Sequence, residues 1–386
     1  MRFSLSNQGN KITSIGDGEL PSNLQDIKSS GNPIATIGDH AFDGSKDSLI
    51  NLRIDGSTLT DLPNALNVLQ ALSYCGFRYG KMKNIPAGPE LLPNVAFLDL
   101  AGNEISDITN IDRFKYSLLT RLDLHHNQIS DITPIGELQY VRTLNLYDNK
   151  ICDHNQVNTA LIPHQDSMQI LQLGANCMTK IPDVSTLTQL WRLGLSSNQI
   201  DDCTSGAIPD TLQKLNIGNN LLPCVPTVIQ GHPNVTELYL TGNKLNTVDN
   251  FVFPSTLQSL GLDNNDISSI NRLEFDKSQS DLHSLSLKNN DLKSVSDTAF
   301  DKLTNLTSLN LQNTGLTKLP LALKSLSSLT NLNVKGDSSL TCTCGEAALS
   351  DWYQSASPTV DGQCSGSSDV STFLDQLGSN CASVVG

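Results

Sequence analysis

Aliphatic residues recur along most of this chain in a short pattern that is repeated many times, L-x-x-L-x-L-x-x-N-x-L. Positions four and six of the pattern have the same parity, so both side chains point to one face of a short β-strand. The residues between them point to the opposite face. Each copy therefore predicts a strand of a few residues that is buried on one side, exposed on the other, and ends near the Asn.

The copies follow one another mostly every 22 to 25 residues, and they number about 15. Clean copies begin at Leu24, Leu49, Val95, Leu119, Val141, Met168, Leu190, Leu212, Val235, Leu257, Leu282 and Leu306. Their ninth positions hold Asn32, Ser57, Asn103, Asn127, Asn149, Asn176, Asn198, Asn220, Asn243, Asn265, Asn290 and Thr314. Degenerate copies begin at Leu72 and Leu329, and the chain opens inside a copy with Leu5, Asn10 and Ile12 in register.

One copy cannot bury its aliphatic row alone, so the copies are expected to stack as parallel strands around one continuous core. At the point where each strand turns away, the Asn amide can satisfy backbone groups of neighbouring turns. Pro residues in several return segments, as in Leu62-Pro63 and Leu319-Pro320, favour extended or short 3₁₀ backs because Pro lacks the helix donor.

These copies resemble the leucine-rich repeat family. The resemblance implies an α/β solenoid, a horseshoe with a concave parallel sheet and a mostly irregular or 3₁₀ convex side. The return segments are mixed in type. AFDGSKDSL and AFDKLTNL look like extracellular repeats, whereas NEISDITNI and NQISDITPI look more like bacterial and phosphatase-regulator repeats. This mixture leaves the source of the chain open.

The amino-acid composition and net charge exclude some classes of binding partner and indicate the type of core. Lys and Arg number 25 against 39 Asp and Glu, a net charge of −14, which argues against nucleic acid and against an anionic membrane surface. Hydrophobic residues reach 38% but aromatic residues only 5%, so the core is expected to be aliphatic. No stretch approaches the roughly 20 apolar residues that span a bilayer. The opening MRFSLSNQGN has no apolar signal segment, so an exported chain would be a mature or trimmed one.

Four of the nine Cys lie after the last repeat. A C-x-C pair, then Leu349 and Trp352, then two spaced Cys resemble the C-terminal cap of the Toll, Slit and variable-lymphocyte-receptor groups. The resemblance implies the pairs Cys342–Cys364 and Cys344–Cys381, and it divides the chain into a repeat domain at 1–336 and a cap at 337–386. The wide spacing and the lack of a nearby His argue against a zinc site. No Cys-bearing N-terminal cap precedes the first repeat, which implies trimming or a partner that covers that edge.

Four further Cys fall just past the strand in four successive repeats, where neighbours are close enough to bridge. They predict the pairs Cys152–Cys177 and Cys203–Cys224, and they leave Cys75, in a core position, as a free thiol. Disulfides require an oxidising compartment. The sequons at Asn234 and Asn305 predict glycosylation sites and indicate the same compartment.

No nucleophile elbow, P-loop, zinc-protease or dinucleotide motif occurs, so we expect neither an enzyme nor a cofactor. Asp99, Asp123 and His125, with His126, are the best candidates for acid–base chemistry or a divalent ion, because their motif positions bring them together on adjacent repeats. A solvated polar surface on a binding scaffold explains the same residues, and no metal site is predicted.

The exposed strand positions of the central repeats carry aromatic residues, Arg and His, the residue types that anchor interfaces. The predicted ligand-binding residues are Tyr74, Arg78, Tyr79, Phe97, Arg121, His125, His126, Arg142, Tyr147, Trp191 and Arg192. From Leu257 onward the same positions are small or polar, apart from His283.

The sequence therefore predicts an extracellular recognition or adhesion module, secreted or cell-surface, with a protein or glycan partner on the concave face. The resembling families act in innate immunity, cell adhesion and guidance. Two alternatives stay open: an intracellular regulator of the phosphatase-binding type, which the S-D-I-T segments favour, and a secreted inhibitor that covers an enzyme's active site.

Overall fold

A computed structural model describes residues 4–365 and 368–381. Its contacts divide the chain into two compact units. The first comprises Met1–Asn198 with Gly206–Thr211, and the second comprises Gln199–Ser205 with Leu212–Gly386. Both units consist of stacked copies of the repeat. The domain boundary at residue 336 stays a prediction.

In the first unit each copy contributes a short strand to a parallel sheet, and strands of successive copies are neighbours. Two short strands, β2 and β4, pair separately. The strands are β1 (Ser4–Ser6), β2 (Ser14–Ile15), β3 (Asp26–Lys28), β4 (Thr36–Ile37), β5 (Asn51–Arg53), β6 (Tyr74–Gly76), β7 (Phe97–Asp99), β8 (Arg121–Asp123), β9 (Thr143–Asn145), β10 (Ile170–Gln172) and β11 (Arg192–Gly194).

The return segments of this unit are irregular or 3₁₀, as the Pro residues predicted. The 3₁₀ turns lie at Asp43–Ser45, Asn64–Val68, Thr109–Phe114, Thr133–Glu137 and Ile162–His164. The longest copy has room for helix α1 (His154–Leu161), which begins after Asp153, whose side chain accepts a hydrogen bond from the Asn155 amide.

The strand register aligns the fourth motif position of neighbouring copies, so Leu98 faces Leu122 and Leu122 faces Leu144. These three Leu are fully buried, as are the sixth-position residues Leu100, Leu124 and Leu146. The aliphatic core and its register are therefore those that the pattern predicted.

The Asn residues form a ladder of hydrogen bonds between copies. Asn127 accepts from the Ile105 amide at 3.0 Å, and its Nδ2 donates to the carbonyls of Leu100 at 3.1 Å and Leu124 at 2.9 Å. Asn149, in the next copy, repeats the arrangement. Each buried amide thus satisfies backbone groups of its own turn and of the preceding one, which confirms the role expected of these residues.

The second unit repeats this architecture of short parallel strands and adds the C-terminal cap. Its strands are β12 (Lys214–Asn216), β13 (Glu237–Tyr239), β14 (Val252–Phe253), β15 (Ser259–Gly261), β16 (Ser269–Ile270), β17 (Glu274–Phe275), β18 (Ser284–Ser286), β19 (Ser294–Val295), β20 (Ser308–Asn310), β21 (Asn331–Asn333) and β22 (Thr359–Asp361). The 3₁₀ turns are Thr227–Ile229, Leu321–Ser325 and Cys344–Leu349, and the helices are α2 (Ser350–Ala356) and α3 (Val370–Asn380).

The cap closes the sheet and the core of the second unit at its last repeat. Strand β22 pairs with β21, so Val360 lies beside Leu332. Trp352 in α2 is buried, and its Nε1 donates to the Leu326 carbonyl at 3.0 Å. The polar groups and aliphatic side chains that the last repeat would expose are thereby covered.

Four disulfide bonds form, and they are the pairs expected from the sequence. Cys342–Cys364 and Cys344–Cys381 fix the cap, with Cα–Cα distances of 5.7 and 5.4 Å. Cys152–Cys177 bridges adjacent copies of the first unit, and Cys203–Cys224 does so in the second. Cys75 is buried and free, and its burial raises the pKa of the thiol.

Candidate functional site

The eighth motif position, just before the ladder residue, has a left-handed backbone in copy after copy. In the second unit the residues there are only Asn and Gly, the types that adopt this conformation most easily: Asn219, Gly242, Asn264, Asn289, Asn313 and Gly336. In the first unit the same position holds Gly31, Gly56 and Gly102, and also Asp148, Ala175, Ser197, Tyr79 at φ 53° and His126 at φ 55°. Two predicted binding residues therefore occupy a conformation that a bulky side chain rarely adopts.

The solvent side of the first unit's sheet carries a continuous row of third-position side chains. The Tyr74 and Phe97 rings meet edge to face with centroids 5.0 Å apart. The guanidinium of Arg121 lies 4.4 Å from the centroid of the Phe97 ring. Because these residues face one another on neighbouring strands, an aromatic pair and a cation–π contact run across β6, β7 and β8.

Asp99 organises the polar contacts beside this row. Its carboxylate accepts from the Tyr74 hydroxyl at 3.2 Å and lies 3.6 Å from Nε of Arg78. Burial raises the pKa of Asp99, and the neighbouring carboxylate of Asp123 raises it further. Burial, with the charge of Asp99, also raises the pKa of Tyr74, so its phenol stays a hydrogen-bond donor.

Arg78 and Tyr79 form a second pair at the end of β6. The Arg78 side chain donates to the Tyr79 hydroxyl at 2.9 Å and also lies over the Tyr79 ring, 4.8 Å from its centroid. Tyr79 is 55% exposed. Its ring extends over Gly102 of the next copy, where any Cβ would overlap it. A Gly at this position is thus what allows the Tyr79 ring to lie across the sheet.

The two adjacent histidines are each paired with a carboxylate. His125 contacts Asp123 at 2.5 Å, and His126 contacts Asp148 at 2.5 Å. The His126 ring also meets Tyr147 edge to face at 5.9 Å. His126 and Tyr147 are exposed, so this cluster presents aromatic edges and ring nitrogens to solvent.

Three predicted residues lie further along the sheet or at its margin. Arg192 is exposed at the start of β11. Arg142 and Trp191 come one residue before β9 and β11, so they lie at the margin of the sheet and not at the outward strand positions that the pattern gave them. Arg142 is exposed, and Trp191 is partly buried.

The residues considered for acid–base or metal chemistry form hydrogen bonds with neighbouring side chains. Asp99 and Asp123 face each other across β7 and β8, as expected, but Asp99 holds Tyr74 and Asp123 holds His125. In residues 4–365 and 368–381 no three His, Cys, Asp or Glu residues are grouped so that they could hold a metal ion. The structure therefore favours a polar recognition surface here.

The two sequons lie at exposed positions. Asn234 and Asn305 are both exposed, and the Asn305 amide donates to the Ser280 carbonyl at 3.0 Å. Their glycosylation stays a prediction.

Sequence reasoning missed two features of the surface. Tyr239 in β13 is 36% exposed, the same fraction as Tyr147, and was not included among the face residues of interest. The left-handed backbone at position eight was also missed, although the frequent Gly and Asn residues at this motif position would have indicated it.

Comparison with known proteins places the repeat in a family. A family model described as leucine rich repeat matches residues 255–316 and 280–338. A Toll-like receptor 2 type-2 of Gallus gallus is 30% identical over 137 residues, which is 35% of this chain and 17% of the receptor. The chain thus spans less than a fifth of that receptor's length.

Solved structures share the fold at low identity. A leucine-rich repeat protein of Leptospira interrogans matches with a TM-score of 0.73 and 22% identity, covering 93% of this chain and 89% of that one. The ectodomain of the Arabidopsis thaliana receptor kinase GASSHO1/SCHENGEN3, in complex with CASPARIAN STRIP INTEGRITY FACTOR 2, matches with 0.55 and 20%, covering 94% and 47%.

The matched family consists of non-enzymatic binding modules, which agrees with the polar surface described above. Among the described residues no helix is long and apolar enough to cross a membrane. The repeat pattern, the aligned core, the Asn ladder and the family match have one explanation. The chain has the leucine-rich repeat fold with a disulfide-bonded C-terminal cap, and its residues 255–338 match the leucine-rich repeat family.

Proposed function

We propose that this protein is an extracellular recognition module that binds a protein partner through the solvent side of the first unit's sheet. The proposed anchors are the residues that the sequence singled out around Tyr79, Arg121, His126 and Tyr147. Tyr side chains provide large contact area at low cost in rotamer entropy, and Arg side chains provide directional donors, which suits an interface.

The observation that carries this proposal is that Tyr79 and His126, the two bulkiest of five non-Gly residues at this position of the first unit, have left-handed backbone. Each such residue costs about 1–2 kcal/mol relative to one that tolerates the conformation. In the second unit only Asn and Gly occupy this position, so the repeat itself does not require the strain. Strain that a fold can avoid, located on an exposed surface, supports a role in binding.

The four disulfides support an oxidising compartment, because such bonds persist outside the reducing cytosol. Glycosylation at Asn234 and Asn305 and a role in adhesion or immune recognition belong to the same proposal. A mass measurement of the native protein after alkylation of free thiols tests the compartment. Labelling of Cys75 alone, after unfolding without reductant, supports it, and labelling of all nine Cys favours the intracellular alternative.

The binding proposal is tested by capture on the immobilised protein. Extracts of surface and secreted proteins from the source cells are passed over the parent, Arg121→Ala, Trp191→Ala and the second-unit control Ser286→Ala. We expect a protein that the parent and Ser286→Ala retain and that the other two lose. Retention by all four variants, with each fold intact by circular dichroism, would place the binding site elsewhere.

A further inference from the structure

Three arginines on the first unit's sheet have no acidic partner of their own. Arg121, Arg142 and Arg192 are exposed, and in the described part of the chain none of them forms an ion pair or a side-chain hydrogen bond. By contrast, Arg53 and Arg78 lie beside Asp55 and Asp99. We call Arg121, Arg142 and Arg192, with the Thr143 and Ile170 that lie between them, the cationic strip.

The local charge of the strip differs in sign from that of the chain. At the second, third and fifth motif positions of β8 to β11, the only acidic residue is Asp123. Asp123 is buried and paired with His125. A chain with a net charge of −14 thus presents here three guanidinium groups that have no acidic partner, which favours an anionic ligand.

The register gives the spacing of the two arginines that project from strands. Arg121 faces Thr143, Thr143 faces Ile170, and Ile170 faces Arg192. Three strand spacings of ~4.8 Å separate the Arg121 and Arg192 backbones by about 14 Å. Between them lie Thr143 and Ile170, both partly exposed, so the middle of the strip is less polar than its ends.

An extended peptide matches this spacing. At ~3.4 Å per residue, a span of about 14 Å corresponds to four residues. Residues i, i+2 and i+4 of an extended chain point to the same side, so two acidic side chains and one apolar side chain between them can face the strip together. Each carboxylate would accept two hydrogen bonds from a guanidinium.

We infer that the cationic strip binds an extended acidic peptide segment, in which two carboxylates four residues apart engage Arg121 and Arg192 and an apolar residue midway packs on Ile170. This inference rests on the proposed function and specifies the chemistry of its partner. The segment runs across strands β8 to β11.

The probe is a fluorescein-labelled Gly/Ser peptide with glutamates at i and i+4 and leucine at i+2. Its controls are the same peptide with both glutamates replaced by glutamine, and a peptide of equal charge with glutamates at i and i+2. Fluorescence anisotropy at low salt gives the affinities, since screening weakens such contacts. We expect the i, i+4 peptide to bind at least about tenfold more tightly than either control, as for the loss of one charged hydrogen-bonded contact.

Variants of the protein assign the contacts. Arg121→Gln and Arg192→Gln should each weaken the i, i+4 peptide about tenfold, and Lys277→Gln, which removes an exposed charge in the second unit, should leave it unchanged. In residues 4–365 and 368–381 the Arg192 side chain forms no hydrogen bond, ion pair or ring contact, so its replacement keeps the test valid even if Arg121→Gln perturbs the fold. Each protein variant is also measured with peptides in which only one glutamate is replaced by glutamine. Where an arginine contacts the replaced glutamate, the loss of affinity for the combined change is smaller than the sum of the two separate losses.

The inference is overturned if neither acidic peptide binds, if the two acidic peptides bind equally, or if a uronic-acid oligosaccharide of equal charge binds in preference to them. The affinity of the captured partner for two variants distinguishes failure of this inference from failure of the proposed function. If its affinity falls with Tyr147→Ala but not with the Arg121→Gln/Arg192→Gln double variant, the face binds the partner and only the acidic-peptide inference fails.

Discussion

The two units have the same aliphatic core and the same Asn ladder, but their exposed sheet positions differ. In the first unit those positions carry aromatic rings, arginines and histidines that contact one another across strands. In the second unit, from β15 to β20, the outward strand residues are Ser, Gly and Asn, and the flanking positions are polar or charged, as at His283 and Lys288. The comparison teaches that the repeat fixes which positions are buried and leaves the outward positions free to carry function.

The two exposed surfaces also differ in backbone strain. The left-handed position before each ladder Asn holds only Asn and Gly in the second unit, whereas the first unit also has Asp148, Ala175, Ser197 and the bulkier Tyr79 and His126 there. A surface under no functional demand is expected to accumulate the residues that its backbone prefers. The first unit departs from that preference on its exposed face, which is where we place binding.

Core substitutions should affect both units alike. Leu122 and Leu285 occupy the same buried strand position in the two units. Replacing either with Asn should lower the free energy of unfolding by about 3–5 kcal/mol, because packing is lost and an unpaired amide is buried. Chemical denaturation followed by circular dichroism measures this. An unchanged midpoint for Leu122→Asn would contradict the aligned core.

The cap should protect the second unit in particular. Cys344→Ser removes the bond to Cys381, and loss of a native disulfide in a secreted module costs about 2–5 kcal/mol. Stability in a repeat protein is nearly a sum of neighbour terms, so the last repeats should open first. Hydrogen exchange should rise in β20 and β21 before it rises in β6 and β7, and the reverse order would show that the cap is not what stabilises this end.

Exposed tyrosines provide a matched pair for binding. Tyr147 and Tyr239 are each 36% exposed, one in each unit. Tyr147→Ala should weaken binding of the captured partner by at least about 2 kcal/mol, the loss expected for an interface anchor. Tyr239→Ala should leave the affinity unchanged. Equal losses, measured by calorimetry, would extend the binding surface into the second unit.

A buried histidine makes the first unit sensitive to acid. His164 is fully buried, with Nε2 3.0 Å from the Ile135 carbonyl, and burial lowers its pKa below the ordinary value of 6.5. Below about pH 6.5 the unfolded state therefore binds more protons than the folded state, and stability falls as pH falls. Thermal melts at about pH 7.5 and about pH 5.5 should show a larger loss for the parent than for His164→Gln. Equal losses would mean that this histidine does not contribute.

The sequence predicted the core, the strand positions and the pairs Cys152–Cys177 and Cys203–Cys224 because each follows from the repeat. The two disulfide pairs of the cap were implied by the resemblance to capped repeat proteins. Leu98 and Cys75 occupy positions whose burial is fixed by the repeat, whatever their neighbours are. The contacts of the binding face could not be predicted in this way, because they depend on side chains of adjacent copies. That Asp99 holds Tyr74, and that Gly102 makes room for the Tyr79 ring, follows only from the stacked structure. Arg142 and Trp191 were placed on the strands because the pattern does not mark where each strand begins.

The central claim is that the first unit keeps a strained surface because that surface binds a partner. The most direct test measures the unfolding free energy and the partner affinity of Tyr79→Asn together, beside the reciprocal second-unit variant Asn264→Tyr. Tyr79→Asn should raise the free energy of unfolding by up to about 1 kcal/mol while affinity falls, and Asn264→Tyr should lower stability by about 1 kcal/mol at unchanged affinity. If Tyr79→Asn instead lowers stability and leaves affinity unchanged, Tyr79 serves the fold and the account is wrong.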